Sequence, residues 1–182
     1  DTSGNDPKNG YGGFAFWTET SIPLSDPADY SGSDNLFDVA SDEAIAPIRI
    51  GEGDDASCFN LNQTANPRLL GLSSDYFRKR GAFAFHSIRE GLDASQDWNL
   101  LKTETDSEVI PAFIDSATMQ WALKRKLGDR LTYTDSMGRP FEVELVGALS
   151  DTVFQGSLLI DESTLLEKYP QHEGYQLFLI DD

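Results

Sequence analysis

The chain has 182 residues, of which 39% are hydrophobic and 25% charged, and its formal net charge is −17 from 14 basic and 31 acidic side chains. That length and apolar content suit one folded domain or two small lobes, not a disordered chain. The charge repels phosphate backbones and argues against nucleic-acid binding, and no apolar run of roughly eighteen residues is present to cross a bilayer.

The first ten residues read as a linker or tail, and the polar start carries no apolar leader segment. Because the chain opens on Asp1, it is expected to be an excised fragment or a mature form. "GGFAFWTETSIPL" mixes aromatics with threonines and predicts a strand ending near Pro23. A polar Pro/Gly/Ser-rich loop follows, then a short helix over Leu36 to Ala40 with Asp34 as its N-cap. "AIAPIRI" predicts a second strand closed by glycines, so the first third has β-α-β order.

Leu69, Leu70 and Leu72 predict a short strand. Ser73 or Ser74 then caps a brief helix, Asp75 to Arg80, which Gly81 closes in the left-handed conformation. "HSIREGLDASQDW" has no clear period and stays open between loop and irregular helix. "EVIPAFID" reads as a buried strand. Asp115 caps a predicted helix over Ser116 to Leu127, with Met119, Ala122, Leu123 and Leu127 at helical spacing and Gly128 as its stop.

"RLTYT" and "PFEVELVGAL" flank the turn "DSMGR" and predict a hairpin. Phe141, Val143 and Leu145 alternate with Glu142 and Glu144, giving one buried and one wet face. "GSLLID" is a further strand, "ESTLLEKY" a helix capped by Asp161, and "YQLFLI" a final strand. This mixed order indicates an α+β fold.

The stretch "GDDASCFNLNQ" is the densest in reactive side chains. A nucleophilic Cys58 needs a base, and neither His86 nor His172 has a local context that supplies one; the adjacent acids also raise the thiol pKa. Asp54, Asp55, Asn60 and Asn62 offer oxygen ligands for calcium, but the EF-hand spacing is absent. The reading adopted is a structural corner: Asp54, Asp55, Cys58, Asn60 and Asn62 form a motif in which the polar side chains bond local backbone groups and Cys58 packs inward, poorly reactive. Asn62-Gln63-Thr64 fits a glycosylation sequon, which matters only in a glycosylating pathway. Trp17, Trp98 and Trp121 are expected in the core, Trp98 with the weakest local support. No catalytic, cofactor-binding or metal residues are assigned.

Three stretches, Arg68 to Phe85, Val109 to Tyr133 and Gly138 to Pro170, together resemble the MacB-like extracytoplasmic domains of FtsX-type ABC transporter permeases. The corner at Gly53 to Gln63 is similar to a motif of one large-ectodomain subgroup, and the resemblance runs from about Gly13 to Ile180. It implies a MacB-like periplasmic core: residues 1–12 a linker, 13–66 and 161–182 a discontinuous α/β lobe, and 67–160 an inserted β-rich lobe with helices. It also implies membrane helices before residue 1 and beyond Ile180, outside this sequence, so the first lobe is expected to be incomplete. The expected function is that of a periplasmic domain of an inner-membrane permease, with no chemistry and no cofactor of its own. Its expected partners are a cytoplasmic ATPase subunit and a periplasmic protein or lipoprotein. The rival expectations are a stand-alone sugar- or peptide-binding module with a pocket at Trp17 or Trp98, a hydrolase using Asp115 and Asp151, and a calcium-dependent adhesive domain.

Overall fold

The computed structural model describes residues 6–25, 37, 41–51, 66–104 and 107–181. Among them, β1 (Phe16–Leu24), β2 (Ile45–Ile50), β3 (Arg68–Leu72), β4 (Phe85–Ile88), β5 (Val109–Asp115), β6 (Arg130–Thr134), β7 (Pro140–Leu149), β8 (Ser157–Asp161) and β9 (Tyr175–Ile180) form one mixed sheet. The helices are short: α1 (Ser74–Arg80), α2 (Glu162–Lys168), 3-10 segments at Asp42–Ala44 and Ala94–Leu101, and a π-type turn at Thr118–Ala122. The fold is α+β.

The strand order is β1-β9-β2-β3-β8-β5-β7-β4, with β6 also on β7. The long β7 takes β5 along one side, and on the other it pairs β6 through Pro140–Glu144 and β4 through Gly147–Leu149. The β-α-β order expected for the first third depends on a helix that lies outside the described residues, and its two strands are not paired with each other. β9 lies between β1 and β2, antiparallel to both. The terminal segment contributes the middle strand of that trio, and no local pattern near β1 or β2 announces it. Strands β1, β2 and β9 join the rest through β2 and β3, where Arg49 faces Gly71 and Ile50 faces Leu70.

β3, β5 and β8 are covered on both faces, which is why their sequences are continuous apolar runs. Leu70, Leu72, Phe113 and Leu159 face a core that includes Phe14, Ile48, Phe77, Trp98, Leu149 and Leu177. Leu69, Ile110, Ile114, Leu158 and Ile160 face the opposite core, with Val143, Leu145, Leu165 and Tyr169. The first core therefore draws on both ends of the chain and its middle. Helix α2 sits directly on Gly71: a Cβ there would lie 2.9 Å from Leu165 Cβ and 3.2 Å from Glu162 Cα.

The capping expectations for the two α-helices hold. Ser73 accepts from Tyr76 N at the start of α1, Gly81 closes it at φ 66°, and Asp161 accepts from Ser163 N at the start of α2. Asp161 also accepts from the Ser74 amide and hydroxyl, joining the two helix starts.

The predicted helix over Ser116 to Leu127 is corrected. Asp115 does cap it, accepting from Ala117 N at 3.0 Å and Thr118 N at 3.1 Å. The turn then widens, with Leu123 N donating to Thr118 O, and ends at Lys124, which takes a left-handed φ of 52°. Arg125 N closes it on Met119 O at 2.9 Å. Of the apolar stripe only Met119 is buried, Leu123 and Leu127 are half-buried against the second core and Ala122 is exposed, so packing sustains further turns only weakly against the cost of ordering them. The stretch left open, "HSIREGLDASQDW", forms β4 and the start of the 3-10 segment, which is kinked at Asp97 (φ 38°). The predicted helix at Leu36 to Ala40 lies outside the described residues, apart from Phe37.

Candidate functional site

Asp54, Asp55, Cys58, Asn60 and Asn62 lie outside the described residues, as do Phe59 and the sequon at Asn62. The tryptophan expectation divides. Trp98 is core, 1% exposed, ringed by Phe77, Phe83, Phe85 and Phe113, and its indole N–H donates to Ala82 O at 3.1 Å. Trp17 and Trp121 are not core: they are 49% and 78% exposed. Trp17 lies on β1, which among the described residues is an edge strand paired with β9 alone. Trp121 lies on the short π-type turn, off the face carrying Met119.

The two carboxylates considered for hydrolysis stand in different surroundings. Asp115 is 1% exposed. Its Oδ1 accepts from Ala117 N and Thr118 N, and its Oδ2 accepts from Thr152 N at 2.7 Å and Thr152 Oγ1 at 3.2 Å. Those bonds use its acceptor sites to hold the turn and residues 151–154 together. Asp151 is exposed and left-handed, φ 37°. His86 is exposed beside Ser87, and His172 bonds Ile50 O through Nδ1 at 3.0 Å. Among the described residues no three His, Cys, Asp or Glu side chains gather as metal ligands.

Two of the concave sites among the described residues bear on function. The first, about 270 Å³, lies between β2, α1, α2 and β9 and is lined by Ile45, Ala46, Pro47, Phe77, Tyr76 and Tyr175 among others. Two acids, Glu43 and Glu162, stand at its margin. Both tyrosine hydroxyls are engaged: Tyr76 donates to Glu43 O at 2.7 Å and Tyr175 to Glu162 Oε2 at 3.2 Å. Burial pushes the pKa of each above the ordinary phenol value, Tyr76 and Tyr175 alike. Behind them Arg49 lies over the Tyr175 ring at 4.0 Å, pairs with Glu162 at 3.4 Å and donates to Glu173 O. This wall offers apolar contact and no free nucleophile.

The second site, about 330 Å³, is a cleft lined by Gly10, Tyr11, Trp17, Asp151, Thr152, Val153 and Gln155. Tyr11 and Trp17 present half-exposed rings. Val153 N bonds Gly10 O at 3.0 Å and fixes one wall on the other. The arrangement offers flat aromatic faces and one carboxylate to a polar ligand. The sequence offered no sign of the first site and only a rival expectation of a pocket at Trp17 for the second. Each is assembled from segments more than a hundred residues apart, and only the exposed Trp17 gave a local sign.

The chain's course also matters. β1 and β9 are neighbours, with Phe16 opposite Ile180, so the chain reaches and leaves the sheet at one place. Arg80 ties that place to α1. It donates to Gly12 O, to Gly13 O at 3.0 Å and to Asp181 Oδ2 at 2.8 Å, and stacks on the Phe14 ring at 3.9 Å.

No protein-family model and no curated protein matches this chain. Among solved structures, the chain is similar to the periplasmic region of MacB from Actinobacillus actinomycetemcomitans, at 17% identity and a TM-score of 0.47, over 91% of this chain and 73% of that one.

Proposed function

We propose that the chain is the periplasmic domain of an FtsX/MacB-type ABC transporter permease, without chemistry of its own. In this reading a cytoplasmic ATPase subunit hydrolyses ATP, and the domain passes the resulting motion of flanking membrane helices to a substrate, lipoprotein or partner protein outside the membrane. The sequence resemblance between Gly13 and Ile180 supports the family. The observation that carries the mechanics is the Arg80 clamp. A domain inserted between two membrane spans must receive and return the chain at one point, and here Gly12, Gly13, Phe14 and Asp181 all converge on one side chain. Because Arg80 belongs to α1, displacement of either flank is passed to the helix and the sheet beneath it as a rigid unit. The engagement of Asp115 by backbone amides supports the non-enzymatic part of the reading. The test is the full-length gene product. Apolar spans of about twenty residues on both flanks, with the domain cut by protease added outside spheroplasts, are expected. A lone secreted protein with no spans would refute the proposal.

One observation favours a second reading, a stand-alone ligand-binding module: Trp17, Tyr11 and Asp151 share one cleft. Tight binding to a glycan or peptide array, abolished by Trp17→Ala, would support it over the permease reading.

A further inference from the structure

The turn after β5 stands apart from the rest of this acidic surface. Gln120, Trp121, Ala122, Lys124, Arg125 and Lys126 are all exposed. Among the described residues, none of the three cations has an acidic side chain within ion-pair distance. The nearby cations just after β4 and on β6 differ: Arg89 and Arg130 are both paired with Glu144. The acid closest in sequence, Asp129, accepts from the Lys126 amide at 3.0 Å and makes no ion pair with the three cations. The left-handed Lys124 ends the helical path, and the basic run begins three residues after the exposed indole.

We propose that this turn, Trp121 with Lys124, Arg125 and Lys126, docks on a bilayer surface of anionic phospholipid headgroups. The chemistry is complementary. An indole with one apolar and one polar edge settles at headgroup depth, and flanking Lys and Arg side chains draw in anionic lipid. The net charge of −17 opposes this at long range, but salt confines that repulsion to within about 8 Å, so the local sign of the turn governs contact. A protein partner fits less well. A stable protein interface covers about 800 Å² on each side, whereas this is a narrow projection limited to residues 120–126. A relay of contacts also links the turn to the segment that enters the sheet. Thr118 Oγ1 accepts from Gly156 N, and Val153 N bonds Gly10 O, two residues before the Arg80 clamp. The choice of lipid over an acidic protein rests in part on the permease reading, which would set that end beside a membrane.

The test uses the chain with Trp17→Phe, so that Trp121 is the exposed indole and Trp98 stays buried. Vesicles of equimolar phosphatidylcholine and phosphatidylglycerol with brominated acyl chains should quench and blue-shift its emission, and phosphatidylcholine alone should not. Each cation contributes about fivefold to such binding, so K124Q/R125Q/K126Q should weaken it roughly a hundredfold, and added salt should do likewise. Since these side chains are exposed, the triple variant should melt as the parent does; Trp121→Ala gives a second, independent loss of binding. Absence of quenching at any lipid concentration would overturn the proposal, as would quenching unchanged in the triple variant. Preference for a polyglutamate peptide over vesicles would also overturn it, as would self-association removed by Trp121→Ala. The vesicle assay needs no flanking helix. Its failure therefore leaves the permease reading standing, and a gene without membrane spans leaves this patch standing.

Discussion

Trp98 allows a direct test of where the core lies. Its ring is 1% exposed and meets four phenylalanines, with centroids 5.1 Å from Phe77 and 5.3 Å from Phe113. A buried tryptophan of about 200 Å² at about 25 cal/mol per Å² is worth at most ~5 kcal/mol. Truncation also leaves a cavity and frees the Ala82 carbonyl from its N–H donor. The expected cost of Trp98→Ala is therefore about 4 kcal/mol, within the range for large-to-small core changes. For a chain of this size that lowers Tm by roughly 8–16 °C. Trp98→Phe keeps the aromatic contacts but loses the hydrogen bond and some volume, and should cost about 2 kcal/mol. Trp121→Ala, at 78% exposure, should stay within about 0.5 kcal/mol of the parent. Urea unfolding followed by far-UV circular dichroism gives all three values, with unchanged m-values as the check on two-state behaviour. If Trp98→Ala and Trp121→Ala cost the same, the assignment of the core is wrong.

Three other outcomes follow from particular contacts. Gly71→Ala forces a Cβ against Leu165 and the α2 backbone and should cost about 2 kcal/mol, read as a fall in the urea midpoint; a neutral result would mean that α2 does not sit on β3. Asp135 accepts from Arg139 N and Met137 N in the β6–β7 turn, which holds its pKa below the usual carboxylate value. A depressed folded pKa stabilises the native state above pH about 4 and the effect is lost as pH falls through the folded value. Asp135→Asn should therefore narrow the stability difference between pH 5 and pH 2, roughly the span over which such a carboxylate titrates; an unchanged acid limb would remove the turn from that role. Calcium and EDTA should leave Tm unchanged; a rise of several degrees with calcium would revive the adhesive-domain alternative.

Much of the secondary structure was legible because its causes are local. Ser73, Asp161 and Gly81 act within one turn of their own positions, and each does in space what its sequence context indicates. The alternation in β7 and the turn at Asp135–Gly138 specified the β6–β7 hairpin for the same reason. The helix after Asp115 shows the limit of local reasoning. Its cap is real, but helical spacing at Met119, Leu123 and Leu127 cannot reveal whether a surface exists to bury those side chains. The first concave site was not legible and the second only through Trp17, since Tyr11 meets Asp151 and Tyr76 meets Tyr175 only after folding.

The sequence by itself determined an acidic, α+β chain, its strand segments other than β4, the caps of its two α-helices and its one clear hairpin, because propensity, capping and alternation operate over a few residues. Only the tertiary structure decided that β9 separates β1 from β2, that Trp98 is buried while Trp121 projects, and that Arg80 gathers both ends of the fold. Those outcomes depend on which distant surfaces exclude water from one another, and no short stretch of chain encodes its own partner.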